Sequence, residues 1–285
     1  MNIWALVVLV MIVAGVALSA WRRIYFTIVV SVTCVIVFAI QQTDYPRDYM
    51  AFIPHDLIDP GNFYTVLTSM YAHHPGRLDH LMFNVLGLAF IGLLFEQRIG
   101  TRPFIVLYLL SGLAGTLAFA AYFWNGPAYS VLGASGAISG VLGGFARLYP
   151  NERLSFIFLP TVPMRAIYVV FIFVAIQLVF ITGSDFNIAW QSHLAGLAAG
   201  VLLAPYVVRL KPERTVKVRV SLHALRKLAV TPELRTILQR IESEEVPDVR
   251  KAWVSHFMSK ARCPTCGAQV KITGDAVRCT KGHVL

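Results

Sequence analysis

The chain has 285 residues, of which 56% are hydrophobic and 14% are charged, and its formal net charge is +10. Soluble domains carry about 25% charged residues, so this composition excludes an ordinary soluble domain and predicts an integral, multi-pass membrane protein. The basic residues are clustered. In a membrane protein such clusters indicate topology and contact with anionic lipid, and nucleic acid is not expected as a partner.

Apolar runs long enough to cross a bilayer as helices, roughly 17–25 residues, occur seven times along the chain. The predicted spans cover about 2–20, 24–42, 80–97, 103–124, 131–148, 163–182 and 190–208. The expected fold class is therefore an all-α polytopic membrane protein.

The basic residues near the span ends predict the topology, because cytoplasmic loops are enriched in arginine and lysine. With seven spans, all of these residues fall on one side: Arg22, Arg23, Arg98, Arg102, Arg147, Arg153, Arg165, Arg209, Lys211 and Arg214. The other side receives the acidic segment 43–79, with Asp44 and Asp48, and also Asp185. We therefore expect the N-terminus outside and the C-terminus in the cytoplasm, in a bacterial or archaeal-type plasma membrane.

Polar residues inside the spans mark functional sites or hydrogen bonds between helices, because they are costly in lipid. The residues concerned are His80, Asn84, Ser135, Ser139, Gln177 and His193. Measured from the basic end of each span, Asn84, Ser135 and His193 lie at depths of about 21, 18 and 24 Å, at 1.5 Å per helical residue. Three helices thus carry polar groups at similar depth, which predicts one site.

Glycines repeat at every fourth residue in two of the spans, and such stripes let helix backbones approach closely. They are Gly136, Gly140 and Gly144 in the fifth span and Gly196 and Gly200 in the seventh. This spacing predicts that Ser135 meets His193, as an activated nucleophile meets its base. No carboxylate lies at that depth, so a two-residue dyad is expected, with Asn84 and the Ser135 backbone N–H as oxyanion donors.

Each of these residues also has a purely structural interpretation. Ser135 can serve as a small packing residue, Asn84 and His80 can join helices, and His193 can cap the start of its helix. The matched depths and the paired glycine stripes favour a single site over these separate explanations.

At these residues the sequence resembles the rhomboid intramembrane serine proteases. The matching motifs are HLMFN (80–84), EQRIG (96–100), GASG (133–136) and SHLAGLAAG (192–200), in family order. The resemblance covers about residues 24–208. It implies a six-helix core at 23–210 with one extra N-terminal transmembrane helix at 1–22.

The resemblance also implies roles for individual residues. Ser135 would be the nucleophile and His193 the general base, and Asn84, His80 and the Ser135 amide would surround the oxyanion. Structural roles would fall to His73 in the first loop and to six residues of the matching motifs: Glu96, Arg98, Gly133, Gly136, Gly196 and Gly200.

Three features depart from the family pattern, one of which is a pair of extra residues between His73 and His80. Tyr64-Thr65 stands where many members carry Trp-Arg, and Ser139 stands where an aromatic residue often stacks on the catalytic histidine. The last of these departures leaves the packing of His193 open.

The C-terminal part is expected to be cytoplasmic. A basic helical linker is predicted at 211–260, where Thr231-Pro232 caps a helix to about 243 and Pro247 opens another. Residues 261–285 predict a zinc-ribbon-like module. There Cys263, Cys266, Cys279 and His283 form a closed structural Zn site, and a hairpin turns at Gly274-Asp275. Unpaired tail cysteines are the alternative.

The sequence therefore predicts a serine endopeptidase that cleaves transmembrane segments of other membrane proteins and needs no cofactor for catalysis. The alternative is a catalytically inactive, rhomboid-like protein that binds membrane helices and recruits a cytoplasmic partner through the zinc module. A transporter is disfavoured, because no pair of broken helices is evident.

Overall fold

The computed structural model describes residues 3–22, 24–42, 49–156, 159–182, 189–210, 222–244, 247–273 and 276–283. The chain divides into two compact units, Met1–Lys211 and Pro212–Leu285. Several residues used in the topology and turn predictions lie outside the described residues: Arg23, Asp44, Asp48, Asp185, Lys211, Arg214 and Gly274-Asp275.

The first unit has a helix at every predicted span. These helices are α1 (Ile3–Arg22), α2 (Phe26–Gln41), α3 (Leu78–Ile99), α4 (Thr101–Phe123), α5 (Ser135–Leu148), α6 (Ala166–Thr182) and α7 (Trp190–Val207). Within the described residues, α1, α3, α4 and α7 are long and apolar enough to cross a membrane, and α2 and α6 are shorter apolar helices. The predicted fold class, an all-α polytopic membrane protein, is confirmed.

Helix α5 is shorter than its predicted span at 131–148, because it begins only at Ser135. Val131 instead pairs with Phe52 of the first loop through two backbone hydrogen bonds of 2.9 and 3.0 Å. A 14-residue helix is about 21 Å long, which is less than the roughly 30 Å of the hydrocarbon core. Most of its residues are buried, so α5 lies inside the bundle.

The backbones of α5 and α7 touch where the glycine stripes face each other. A Cβ atom on Gly196 would overlap the carbonyl oxygen of Gly136, and one on Gly200 would overlap that of Gly140. A side chain at either position would therefore push the helices apart. Their association would weaken, because dispersion contacts between helices in lipid depend on close approach. The predicted contact between these two helices is present.

A short antiparallel hairpin joins α5 to α6. Its strands are β1 (Arg153–Phe156) and β2 (Leu159–Arg165), with Arg153 opposite Arg165. The predicted start of the sixth span at 163 is therefore wrong. Residues 163–165 belong to β2, and the helix begins at Ala166.

The first loop contains the Tyr64-Thr65 departure from the family pattern. The carboxylate of Asp56, 3% exposed, accepts hydrogen bonds from the Thr65 hydroxyl at 2.7 Å and from the Ile53 backbone N–H at 3.0 Å. A threonine at position 65 thus satisfies a buried carboxylate inside this loop.

Glu96 and Arg98 lie at the end of α3. The Glu96 carboxylate is fully buried and accepts the first backbone N–H groups of α2, from Phe26 at 2.7 Å and from Thr27 at 2.8 Å. A carboxylate at a helix N-terminus satisfies N–H groups that have no partner within the helix and interacts favourably with the helix dipole. Arg98 pairs with Glu152 at 2.9 Å beside the hairpin.

The second unit forms around α8 (Leu222–Leu228), α9 (Pro232–Ser243), α10 (Pro247–Lys260) and the hairpin of β3 (Val270–Thr273) and β4 (Ala276–Cys279). The predicted cap is confirmed, because the Thr231 hydroxyl accepts the Leu234 N–H at 3.2 Å. The helices predicted as a linker and the hairpin predicted as a module share one core, which includes Leu225, Phe257 and Val277.

Replacing Glu96 should destabilise the first unit. Glu96→Leu leaves the Phe26 and Thr27 N–H groups buried without an acceptor. We therefore expect the free energy of unfolding to fall by at least about 2 kcal/mol. Thermal unfolding in detergent measures it. The control is Gln97→Leu, since Gln97 is exposed on the same helix. Equal melting temperatures for the two variants would contradict the role assigned to Glu96.

Candidate active site and metal cluster

Ser135 opens α5 directly after a turn that requires glycine. Gly133 has a φ of +123°, which L side chains rarely adopt, and its N–H donates to the Ser69 carbonyl at 2.8 Å. This hydrogen bond ties the turn to the first loop. The turn delivers the Ser135 side chain into the bundle at the first residue of the helix.

The Ser135 hydroxyl lies against the imidazole of His193. The distance between Ser135 Oγ and His193 Nε2 is 2.7 Å, and both side chains are partly buried. His193 stands in the first turn of α7, which begins at Trp190. Because the glycine stripes bring α5 and α7 into backbone contact, the short side chain of Ser135 can reach the His193 ring at the start of α7.

His80 and Asn84 lie one turn apart on α3. A Cβ atom built on Gly133 would lie 2.8 Å from His80 Nε2 and 3.6 Å from Ser135 Oγ, so the imidazole and the hydroxyl border the same point. Asn84 is 5% exposed, and its Nδ2 donates to the His80 carbonyl at 2.8 Å. An amide NH₂ group has two donors, so a second N–H is left for another acceptor.

His73 is the remaining histidine that the resemblance assigned a structural role. It is fully buried in the first loop, where its backbone N–H donates to Gln41 Oε1 at 3.0 Å. Its ring centroid is 5.1 Å from that of His80. His73 therefore connects α2, the first loop and the ring that borders Ser135.

Helix α6 supplies two contacts to His193 that the sequence analysis did not assign. Gln177 Oε1 lies 3.0 Å from His193 Nδ1, and the Phe173 ring lies 6.2 Å from the His193 ring between centroids. The signal was present in the sequence, because Gln177 is a polar residue in an otherwise apolar span and Phe173 precedes it by one helical turn.

Ser139 does not contact the histidine ring in the way the family's aromatic residue would. Its hydroxyl donates to the Ser135 carbonyl one turn earlier, at 2.7 Å, which is a common bond for a serine within a helix. The aromatic contact to the His193 ring comes instead from Phe173 of α6.

In the second unit, three cysteines and a histidine form a cluster that could hold a metal ion. The ligand atoms of Cys263, Cys266, Cys279 and His283 all lie within 4.8 Å of one another. Three of the separations are 3.4, 3.7 and 3.8 Å. Ligand atoms around a tetrahedral zinc ion are separated by roughly 3.5–3.8 Å, so the donor set and its spacing fit.

Local hydrogen bonds prepare the first cysteine of this cluster for metal binding. Desolvation raises the pKa of the Cys263 thiol, but hydrogen bonds from the Thr265 and Cys266 backbone and from the Cys266 and Cys279 thiols outweigh it and lower the pKa to about 6. The thiolate is the form that binds metals. The opposite holds for Cys266: although the hydrogen bond from the Ala268 backbone lowers the pKa of its thiol, desolvation and the Cys263 and Cys279 thiols outweigh it and raise that pKa.

The chain is similar to known proteins over its first unit. Residues 60–210, just over half of the chain, match the family model for the rhomboid domain. Rhomboid protease GluP of Bacillus subtilis is 31% identical over 150 residues, which are 53% of this chain and 27% of that protein.

Eukaryotic relatives match as well. RHOMBOID-like protein 4 of Arabidopsis thaliana is 31% identical over 48% of this chain and 32% of its own length. Rhomboid-like protease 3 of Toxoplasma gondii is 30% identical over 50% of each chain. The chain thus spans half or less of the length of these curated relatives.

Widening the contact between α5 and α7 should separate the serine from the histidine. We expect Gly196→Ala to lower the labelling rate of Ser135 by a serine-reactive fluorophosphonate by up to roughly 10²-fold, as a displacement of about 1 Å can do. Gly126→Ala is the control, because a Cβ there meets only ordinary contacts, the nearest at 3.6 Å. Undiminished labelling of Gly196→Ala would contradict the dependence of the site on this contact.

Proposed function

Since this chain belongs to the rhomboid family, we propose that it is an intramembrane serine endopeptidase that uses Ser135 and His193 as a catalytic dyad. The observation that carries the proposal is the distance of 2.7 Å between His193 Nε2 and Ser135 Oγ. It is supported by the names of similar proteins in Bacillus subtilis and Toxoplasma gondii, which are rhomboid proteases.

The first step of the proposed reaction is attack of Ser135 Oγ on the scissile carbonyl. The hydroxyl proton passes to His193 Nε2 as the new C–O bond forms. The oxyanion that develops would accept hydrogen bonds from the Ser135 backbone N–H and from the free N–H of Asn84, with His80 beside it. When the C–N bond breaks, the proton on Nε2 goes to the leaving amine, and water then hydrolyses the acyl-enzyme by the same route.

The proposed substrates are transmembrane segments of other membrane proteins. A peptide bond within an intact helix has its carbonyl and N–H hydrogen-bonded and shielded. Segments with small or helix-destabilising residues near the cleavage site should therefore be preferred. We place the active site in the outer part of the bilayer, with the N-terminus of the chain outside and the C-terminus in the cytoplasm, because the basic span ends support that orientation.

For the second unit, we propose a structural zinc ion bound by Cys263, Cys266, Cys279 and His283. Four protein ligands close the coordination sphere, so the ion would stabilise this unit and would take no part in hydrolysis. A folded unit of this kind suits the binding of a cytoplasmic protein partner.

The dyad is tested by removing each of its members. We expect Ser135→Ala to abolish both fluorophosphonate labelling and cleavage of a model transmembrane substrate, and His193→Ala to lower both by at least about 10³-fold. Ser130→Ala is the matched control, because Ser130 is an exposed serine shortly before α5, and it should behave as wild type. Labelling that persists in Ser135→Ala would overturn the assignment, and so would equal cleavage by all of the variants.

The metal site is tested by measuring bound zinc in the purified chain by atomic emission. Cys263→Ser should lower the zinc content from one ion per chain to near zero and leave the hydrolytic activity in detergent unchanged. The control is Cys34→Ala, which replaces the one cysteine outside the cluster and should keep the zinc. A zinc content near zero in the wild type would refute the proposal.

A further inference from the structure

The His193 ring is held at both nitrogens. Nε2 lies 2.7 Å from Ser135 Oγ, and Nδ1 lies 3.0 Å from Gln177 Oε1. An amide oxygen can only accept a hydrogen bond. In the neutral imidazole, Nδ1 therefore carries the single ring hydrogen, which leaves the Nε2 lone pair facing the serine hydroxyl. This is the tautomer that a general base requires.

Gln177 has a physical reason to bind a partner within the protein. It is 3% exposed, whereas Ile176 and Leu178 on either side of it are 46% and 54% exposed. A buried amide without hydrogen bonds costs free energy in an apolar environment. The hydrogen bond with His193 satisfies the Gln177 oxygen. Without such a partner, a hydrophobic side chain would be expected at this buried position.

Phe173 completes the contact from the same helix. It lies one turn before Gln177, and its ring packs against that of His193 at 6.2 Å between centroids with an interplanar angle of 48°. One face of α6 thus offers an aromatic contact and a hydrogen-bond acceptor to the histidine. Ser139, where an aromatic residue was expected on α5, instead binds the Ser135 carbonyl.

We propose that Gln177 is a positioning residue that holds His193 in the Nδ1–H tautomer and orients its ring toward Ser135. This inference rests on the proposed function. During the reaction the proton from Ser135 moves to Nε2, the Nδ1–H···Oε1 bond stays in place, and no proton passes to Gln177. The neutral amide supplies the acceptor without placing a second charge in the membrane interior, where an ionised carboxylate would be costly.

The test compares variants at position 177. Gln177→Met has similar length and volume but lacks the acceptor oxygen, and Gln177→Glu keeps an oxygen in place. We expect Gln177→Met to lower kcat by roughly 10- to 100-fold with KM unchanged, because the proposed role of Gln177 is to orient the general base and not to bind substrate. Gln177→Glu should retain most of the wild-type kcat. The control is Ile176→Met on the exposed side of the same helix, which should match wild type.

A second measurement reports on the bond itself and does not depend on activity. In the full-length chain labelled with ¹⁵N-histidine, the resonance lost in His193→Ala identifies the ring. In wild type it should show a hydrogen on Nδ1 and none on Nε2, and in Gln177→Met it should change toward a mixture of both tautomers. Wild-type kcat together with an unchanged tautomer in Gln177→Met would overturn the inference.

The two proposals fail in different ways. If wild type neither cleaves substrate nor reacts with fluorophosphonate, but Gln177→Met still changes the tautomer, the protease assignment is wrong and the positioning bond is supported. If wild type is active and Ser135→Ala is not, while Gln177→Met matches wild type in kcat and tautomer, the protease assignment stands and the role of Gln177 is refuted. Thermal unfolding of Gln177→Met, compared with Ile176→Met, detects a loss of folding.

Discussion

The contact between the backbones of α5 and α7 is the constraint on which the candidate active site depends. Where Gly136 and Gly140 face Gly196 and Gly200, there is no room for a Cβ atom. Helix association in a membrane relies on such close packing. Lipid tails are as apolar as the helix surfaces, so no hydrophobic effect drives the helices together. Serine is a short side chain, and it reaches His193 at 2.7 Å only because the two helices approach to this extent.

The apolar surroundings also explain which kinds of polar group lie beside Ser135 and His193. The amide of Gln177 lies 3.0 Å from His193 Nδ1, and the His80 ring borders the Gly133 turn beside Ser135; neither group is a carboxylate. The Glu96 carboxylate lies instead at the end of α3, where two backbone N–H groups and the dipole of α2 compensate its charge. The buried Gln177 amide and the buried Glu96 carboxylate thus each have a hydrogen-bond partner within the protein.

The sequence predicted a helix at each of the seven spans, because hydrophobic length is a strong local signal. It placed Asn84, Ser135 and His193 at similar depth from helical rise alone. It misplaced the start of α5 at 131 and that of α6 at 163. Val131 pairs with Phe52 of the first loop, and a contact between residues so far apart leaves no periodic pattern in the chain. Met164 and Arg165 pair with β1 in a local hairpin, so α6 begins only after them.

By itself, the sequence determined the membrane class, the fold class, the order of the helices, and the residue types that a serine–histidine site and a four-ligand metal cluster require. These properties follow from composition, spacing and motif. Only the tertiary structure decided what holds His193. The contacts of Gln177 and Phe173 with that ring depend on the rotation of α6 about its axis and on its distance from α7. Gln177 marks one face of this otherwise apolar span, but the sequence does not specify which residue of another helix that face meets.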